Sequence, residues 1–260
     1  MSNIQAAFQD KKAFIAFITC GDPNIETTEK IIETLAENGV DLIELGIPFS
    51  DPTAEGPVIQ AANIRALSGG ITTDKIFEMV KRVRKKVTVP MVFMTYANVV
   101  FSYGIEDFAR AAADAGMDGL ILPDVPYEEK LEFSEVCKQH NLDFISLIAP
   151  TSKERIGKIA RDADGFVYCV SSLGVTGTRS KITGDIDGMI AAVRENTKIP
   201  AAVGFGISTP EQAAEMAGKS DGIIIGSAII KIIAEHGENA LPHIKRFVKS
   251  VSAAVRNCAV

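Results

Sequence analysis

The chain lacks any close pair of cysteines. Cys20, Cys137, Cys169 and Cys258 are scattered, none forms a C-x-x-C pair, and the three histidines do not cluster with them. That spacing argues against a structural zinc site and against a disulfide framework, and it fits a reducing compartment. An excess of positive charge is also missing. Lys and Arg number 27 against 33 Asp and Glu, a formal net charge of −6, so a basic surface for nucleic acid or anionic membrane is not expected. No stretch approaches the roughly 20 apolar residues of a membrane span. The start, MSNIQAAFQDKKAF, has no apolar core of signal-peptide length and is charged early. No linker-like or low-complexity segment divides the chain. These absences imply a cytoplasmic, soluble single domain over residues 1–260 with no metal.

What is present is an alternation of strand and helix. Eight short β-rich runs recur: AFIAFIT (13–19), DLIELG (41–46), MVFMTY (91–96), DGLILPD (118–124), DFISLIA (143–149), GFVYCV (165–170), PAAVGFG (200–206) and DGIIIGS (221–227). Most are nearly continuous apolar runs, the pattern of strands covered on both faces in a parallel sheet. Helix-period segments lie between them. Ile31, Ile32, Leu35 and Ala36 mark one face, ended by Gly39; Phe108, Ala111, Ala112 and Ala115 mark another, ended by Gly116. Eight such units in about 240 residues predict an α/β fold, a single (β/α)₈ TIM barrel. An extra N-terminal helix (Ile4, Phe8) and an extra helix after strand two lie outside the eight units. An open doubly wound sheet is the second choice. The first strand-to-helix turn reads GDPN, without the G-x-G-x-x-G of a dinucleotide site.

Active sites of such barrels sit at the C-terminal ends of the strands. Strand two ends in LIELGIPFSDPTAEGPVIQ (42–60). Glu44 stands inside an apolar strand, where an unpaired charge is costly. An ion pair would explain a lone strand Glu equally well, but the following loop adds Asp51 and Glu55 among rigid turn residues. Strands seven and eight end in Gly204-Phe205-Gly206 and Gly226-Ser227, where glycine lets a phosphate approach the backbone and a helix start offers free N–H groups. The loop SSLGVTGTRSKITG (171–184) is long for its place and has the composition of a lid. Phe17, Met94, Tyr96, Ile121, Tyr168 and Phe205 lie on or near strand ends; core packing accounts equally well for Met94 and Ile121. The histidines read as helix-end or surface residues.

IELGIPFSDPTAEGP resembles the signature of the tryptophan synthase alpha subunit family. TCGDP (19–23), TYAN (95–98), PDVP (123–126), GVTG (174–177), GFGIS (204–208) and GSAI (226–229) agree in order along nearly the whole chain. The resemblance implies a TIM-barrel lyase that splits indole-3-glycerol phosphate into indole and glyceraldehyde 3-phosphate without a cofactor. Glu44 and Glu55 match the family's catalytic pair, with A-E-G-P here where the family usually has A-D-G-P. By the same resemblance Phe17, Tyr96, Tyr168 and Phe205 line the indole pocket. Gly177, Phe205, Gly206, Gly226 and Ser227 serve the substrate, and Thr176 orients Glu55. The implied partner is a pyridoxal-phosphate-dependent β subunit in an αββα complex, met by the loop 47–57 and by Pro123–Pro126. Two other readings stand beside this one: another phosphate-binding barrel of the same pathway, and a non-catalytic partner subunit.

Overall fold

In the computed structural model, residues 2–170, 185–204 and 206–258 are described. Short helix α1 (Asn3–Ala6) leads into strand β1 (Ala13–Thr19), helix α2 (Ile25–Glu37) and strand β2 (Leu42–Gly46). Then come α3 (Pro57–Ser68), α4 (Thr73–Val83), β3 (Met91–Met94), α5 (Ala97–Tyr103), α6 (Ile105–Ala115) and β4 (Gly119–Ile121). A 3₁₀ turn (Tyr127–Glu129) and α7 (Leu131–Gln139) precede β5 (Asp143–Phe144) and β6 (Ser146–Ile148). The last part holds α8 (Lys153–Arg161), β7 (Val167–Val170), α9 (Ile186–Arg194), β8 (Ala201–Gly204), α10 (Pro210–Lys219), β9 (Gly222–Ile225), α11 (Ser227–His236) and α12 (Leu241–Arg256).

All strand pairs are parallel, in the order β5-β4-β3-β2-β1-β9-β8-β7-β6. The two ends of that order, β5 and β6, are successive pieces of one strand separated by Ile145. The nine strands therefore form a nearly closed barrel, and the predicted eighth-part periodicity survives with strand five divided. β5 pairs with β4 and β6 with β7, so the division lies where the chain changes neighbour.

The helices form for visible reasons. Asn24 caps α2 by accepting from the Thr27 N–H at 2.8 Å, and Pro57 starts α3 at a position where its missing N–H costs nothing. The extra helices foreseen at the N-terminus and after strand two are α1 and α3. A further short helix, α5, was not foreseen. It is divided from α6 by Gly104, whose φ of +93° suits glycine.

Successive side chains of a strand face opposite ways. One set packs outward against the helices; the other fills the barrel, with Ile4, Phe8, Ala13, Ile15, Leu42, Val92 and Phe166 among its members. Leu42 faces inward, so Glu44, two residues on, does too. At the N-terminal rim three aspartates repeat one device. Asp41, Asp118 and Asp221 each accept, at 2.9 Å, an N–H at the start of a neighbouring strand, from Phe14, Met91 and Ala201. Asp41 also holds Lys11 at 2.6 Å and Arg256 at 2.7 Å. Asp41→Ala would orphan a buried N–H and two cations, so it should cost about 3 kcal/mol. A lower denaturant midpoint at unchanged m-value would register that loss.

Candidate active site

Glu44 sits in the middle of β2, in register with Phe17 of β1 and Val92 of β3. It is fully buried, and neither carboxylate oxygen has a hydrogen-bond partner among the described residues. Burial alone raises its pKa from 4.5 to about 8. Unpaired polar groups this deep are rare in proteins, and a carboxyl there stays neutral at pH 7. Its charge, when formed, reaches the buried Tyr168 phenol, whose pKa is raised by burial first and by Glu44 second.

Glu55 lies in the loop between β2 and α3. It is buried, and desolvation raises its pKa to about 7 against two opposing hydrogen bonds, from Asn63 and Tyr96. Asn63 Nδ2 donates to Glu55 Oε2 at 2.7 Å.

A pocket of about 500 Å³, mouth included, opens at the C-terminal ends of the strands. Phe17, Met94, Tyr168 and Ile224 supply apolar wall, Glu55 and Ile59 come from the β2–α3 side, and Gly206, Gly226 and Ser227 form the opposite rim. The apolar walls and the few converging polar groups suit a flat aromatic body with one polar end. Glycines make room for its rings: a Cβ on Gly46 would meet Phe17 Cζ at 2.7 Å, and one on Gly204 would meet Tyr168 Cε1 at 2.8 Å. At the rim, α11 begins at Ser227 without a side-chain cap. Its first-turn N–H groups and positive dipole end are suited to an anion.

The structure thus brings together Glu55, Phe17, Tyr168, Gly206, Gly226 and Ser227. Glu44 stands just behind this lining, beside Phe17 and Tyr168. Tyr96 is elsewhere: it is buried behind Glu55, its ring 5.3 Å from Phe49. Ile121 belongs to the barrel interior. Thr176, Gly177 and Phe205, with the rest of the predicted lid, lie outside the described residues. Asn63 was not anticipated. The signal for it was an amide on the buried face of α3, among Ile59, Ala62 and Ala66.

A second, broader hollow of about 1660 Å³, mouth included, adjoins the first at Met94. Ala54, Pro123, Val125, Pro126, Tyr127 and Lys130 line part of it. Phe101 and Leu131, on the helices α5 and α7, are 48% and 64% exposed, a large apolar exposure for such residues. Among the described residues, no helix is long and apolar enough to cross a membrane, and no group of three His, Cys, Asp or Glu could hold a metal ion.

Comparison with known proteins gives a consistent answer. The sequence model of the tryptophan synthase alpha chain family matches residues 4–258. The tryptophan synthase alpha chain of Lacticaseibacillus casei is 46% identical over 255 residues, covering 98% of this chain and 96% of its own. That of Geobacter sulfurreducens is 47% identical over 264 residues, covering 99% and 100%. Among solved structures, Mycobacterium tuberculosis tryptophan synthase aligns with a TM-score of 0.90 at 33% identity, covering 98% of both chains. The alpha chain of Legionella pneumophila aligns at 0.89 and 38% identity, covering 99% of this chain and 98% of the other.

Proposed function

The chain belongs to the tryptophan synthase alpha chain family, and on that premise we propose how its residues divide the work of the alpha reaction. It is a lyase of tryptophan biosynthesis that cleaves indole-3-glycerol phosphate to indole and glyceraldehyde 3-phosphate. The reaction is a reverse aldol. A carbanion at indole C3 is a poor leaving group, so a proton must first reach C3. The ring is then an indoleninium, which draws in the electrons of the breaking C–C bond. The side-chain hydroxyl loses its proton as it becomes the aldehyde. One proton enters at C3 and one leaves the hydroxyl, so a single carboxyl can serve both steps in turn.

Glu44 is that acid–base group. Its carboxyl is neutral at pH 7, is held by no other side chain among the described residues, and reaches the substrate by turning about its own torsions past Phe17 and Tyr168. Glu55, ionised, accepts the indole N–H and stabilises the positive charge that grows there. Phe17 and Tyr168 hold the ring. Gly206, Gly226 and Ser227 hold the phosphate, joined by Gly177 and Phe205; binding there orients a reacting carbon some distance away. Thr176, outside the described residues, is assigned by the family resemblance to orient Glu55. The observation that carries this reading is the pair of buried carboxyls with raised pKa values beside one apolar pocket, opposite an uncapped helix start.

The partner is a β subunit, in an αββα complex within the cytoplasm. Supporting this are the exposed apolar side chains of Phe101 and Leu131 and a separate observation, a hollow lined in part by Pro123 and Pro126. Steady-state indole release from indole-3-glycerol phosphate, with and without a β subunit, tests both parts. Release by the chain alone, increased by the β subunit, is expected. Substrate binding with no indole under either condition would replace the lyase reading with that of a non-catalytic binding subunit.

A further inference from the structure

We propose that the second hollow, where it reaches Lys130 and Arg155, is a binding site for a small organic anion with an apolar body. It is separate from the roles given to Glu44 and Glu55. From Met94, where it adjoins the active-site pocket, the hollow extends to the 3₁₀ turn, the start of α7 and helix α8, which contribute Tyr127, Lys130, Arg155 and Ile159. Its charge runs against that of the chain. The net charge is −6, yet among the described residues no Asp or Glu lines the hollow, while Lys130 and Arg155 both do. Phe144 and Ile159 supply apolar surface beside them, so the lining suits an anion carried on a hydrocarbon body.

Lys130 is the residue that asks for a ligand. It is 7% exposed, and it is the one buried lysine among the described residues. Its Nζ donates to the Ser146 hydroxyl at 3.3 Å and to the Asp162 carbonyl oxygen. Both acceptors are neutral. Asp164 and Asp162 act on it by charge alone, and burial outweighs them, holding its pKa below the ordinary lysine value. The Asp162 carboxylate itself accepts from the Tyr127 hydroxyl. A buried ammonium without an ionic partner is costly. It carries three N–H donors, and two are engaged, which leaves one for the hollow. An anion there would supply the missing countercharge where attraction is little screened. Arg155 is the second cation. Its pairing with Glu128, at 2.8 and 3.0 Å, steadies the guanidinium and leaves N–H groups over.

The test uses the whole chain and two probes of one shape, 2-naphthoate and its neutral amide, 2-naphthamide. Calorimetry should give naphthoate a Kd about tenfold below that of the amide, the worth of one charge-assisted hydrogen bond. Lys130→Met should raise the naphthoate Kd about tenfold, to the level of the amide, and leave the amide unaffected. Arg155→Gln should raise it less, because Arg155 is the more exposed cation. In both variants kcat for indole release should stay within about twofold of wild type, since neither residue lines the active-site pocket. Methyl NMR of the isoleucines locates the probe: Ile159 should shift on adding naphthoate, and Ile224, in the active-site pocket, should not. Equal Kd values for acid and amide, or a naphthoate Kd unmoved by both substitutions, would overturn the proposal. A shift of Ile224 without Ile159 would do so too, placing the anion in the active-site pocket instead. Should Lys130→Met fail to fold, Arg155→Gln and the methyl shifts of the wild-type chain decide.

Discussion

Glu44→Gln is expected to lower kcat for indole release about 10³-fold with little change in KM, the scale on which a positioned acid–base group contributes. Glutamine keeps the volume of the side chain and cannot exchange a proton. The loss should therefore appear in kcat, since pocket walls and phosphate rim are unchanged. Steady-state kinetics beside ligand binding separates the two. The same residue leaves a mark on stability. Its folded pKa of about 8 exceeds the ordinary 4.5, so between those values the folded chain holds more protons than the unfolded one. Stability from this group must then fall as pH rises from about 4.5 to about 8. Glu44→Gln should flatten that decline, as read from denaturant midpoints across the range.

Glu55→Gln should lower kcat about 10²-fold, the usual cost of removing one preorganised group that meets developing charge. The amide can still accept a hydrogen bond, but it brings no negative charge to the indoleninium. Together the two acids dictate a narrow optimum. Glu55 must be ionised, which begins near pH 7, and Glu44 must start protonated, which ends near pH 8. A bell-shaped kcat profile centred between them follows. In Glu55→Gln the acid limb assigned to Glu55 should disappear while the alkaline limb stays.

Much of this was legible in the chain because each clue had a physical cause. Apolar runs marked strands covered on both faces, and an acid inside one of them marked Glu44. Period-two alternation from Leu42 then carries Glu44 to the barrel interior, where burial does the rest. The glycines were legible as close approaches, but half of their purpose was not: Gly46 and Gly204 yield space to Phe17 and Tyr168, a contact between residues far apart in sequence. Strand five read as one run, since nothing local in DFISLIA reveals that its two ends pair with different neighbours. Tyr96 lay near a strand end, but the side chain's direction depends on the turn into α5, so its place behind Glu55 was hidden. Asn63 stayed unseen for a similar reason. A single amide in a helix acquires meaning only from what faces it.

The reaction described above requires that Glu44 enter it as a neutral acid. Its titration can be followed directly by carbon NMR of glutamate labelled at the side-chain carboxyl, with the Glu44→Gln protein identifying the resonance. A midpoint near pH 8 is expected. A midpoint between about 4 and 5, the range of a solvated glutamate, would mean a carboxylate already ionised at neutral pH, unable to protonate indole C3, and would contradict it.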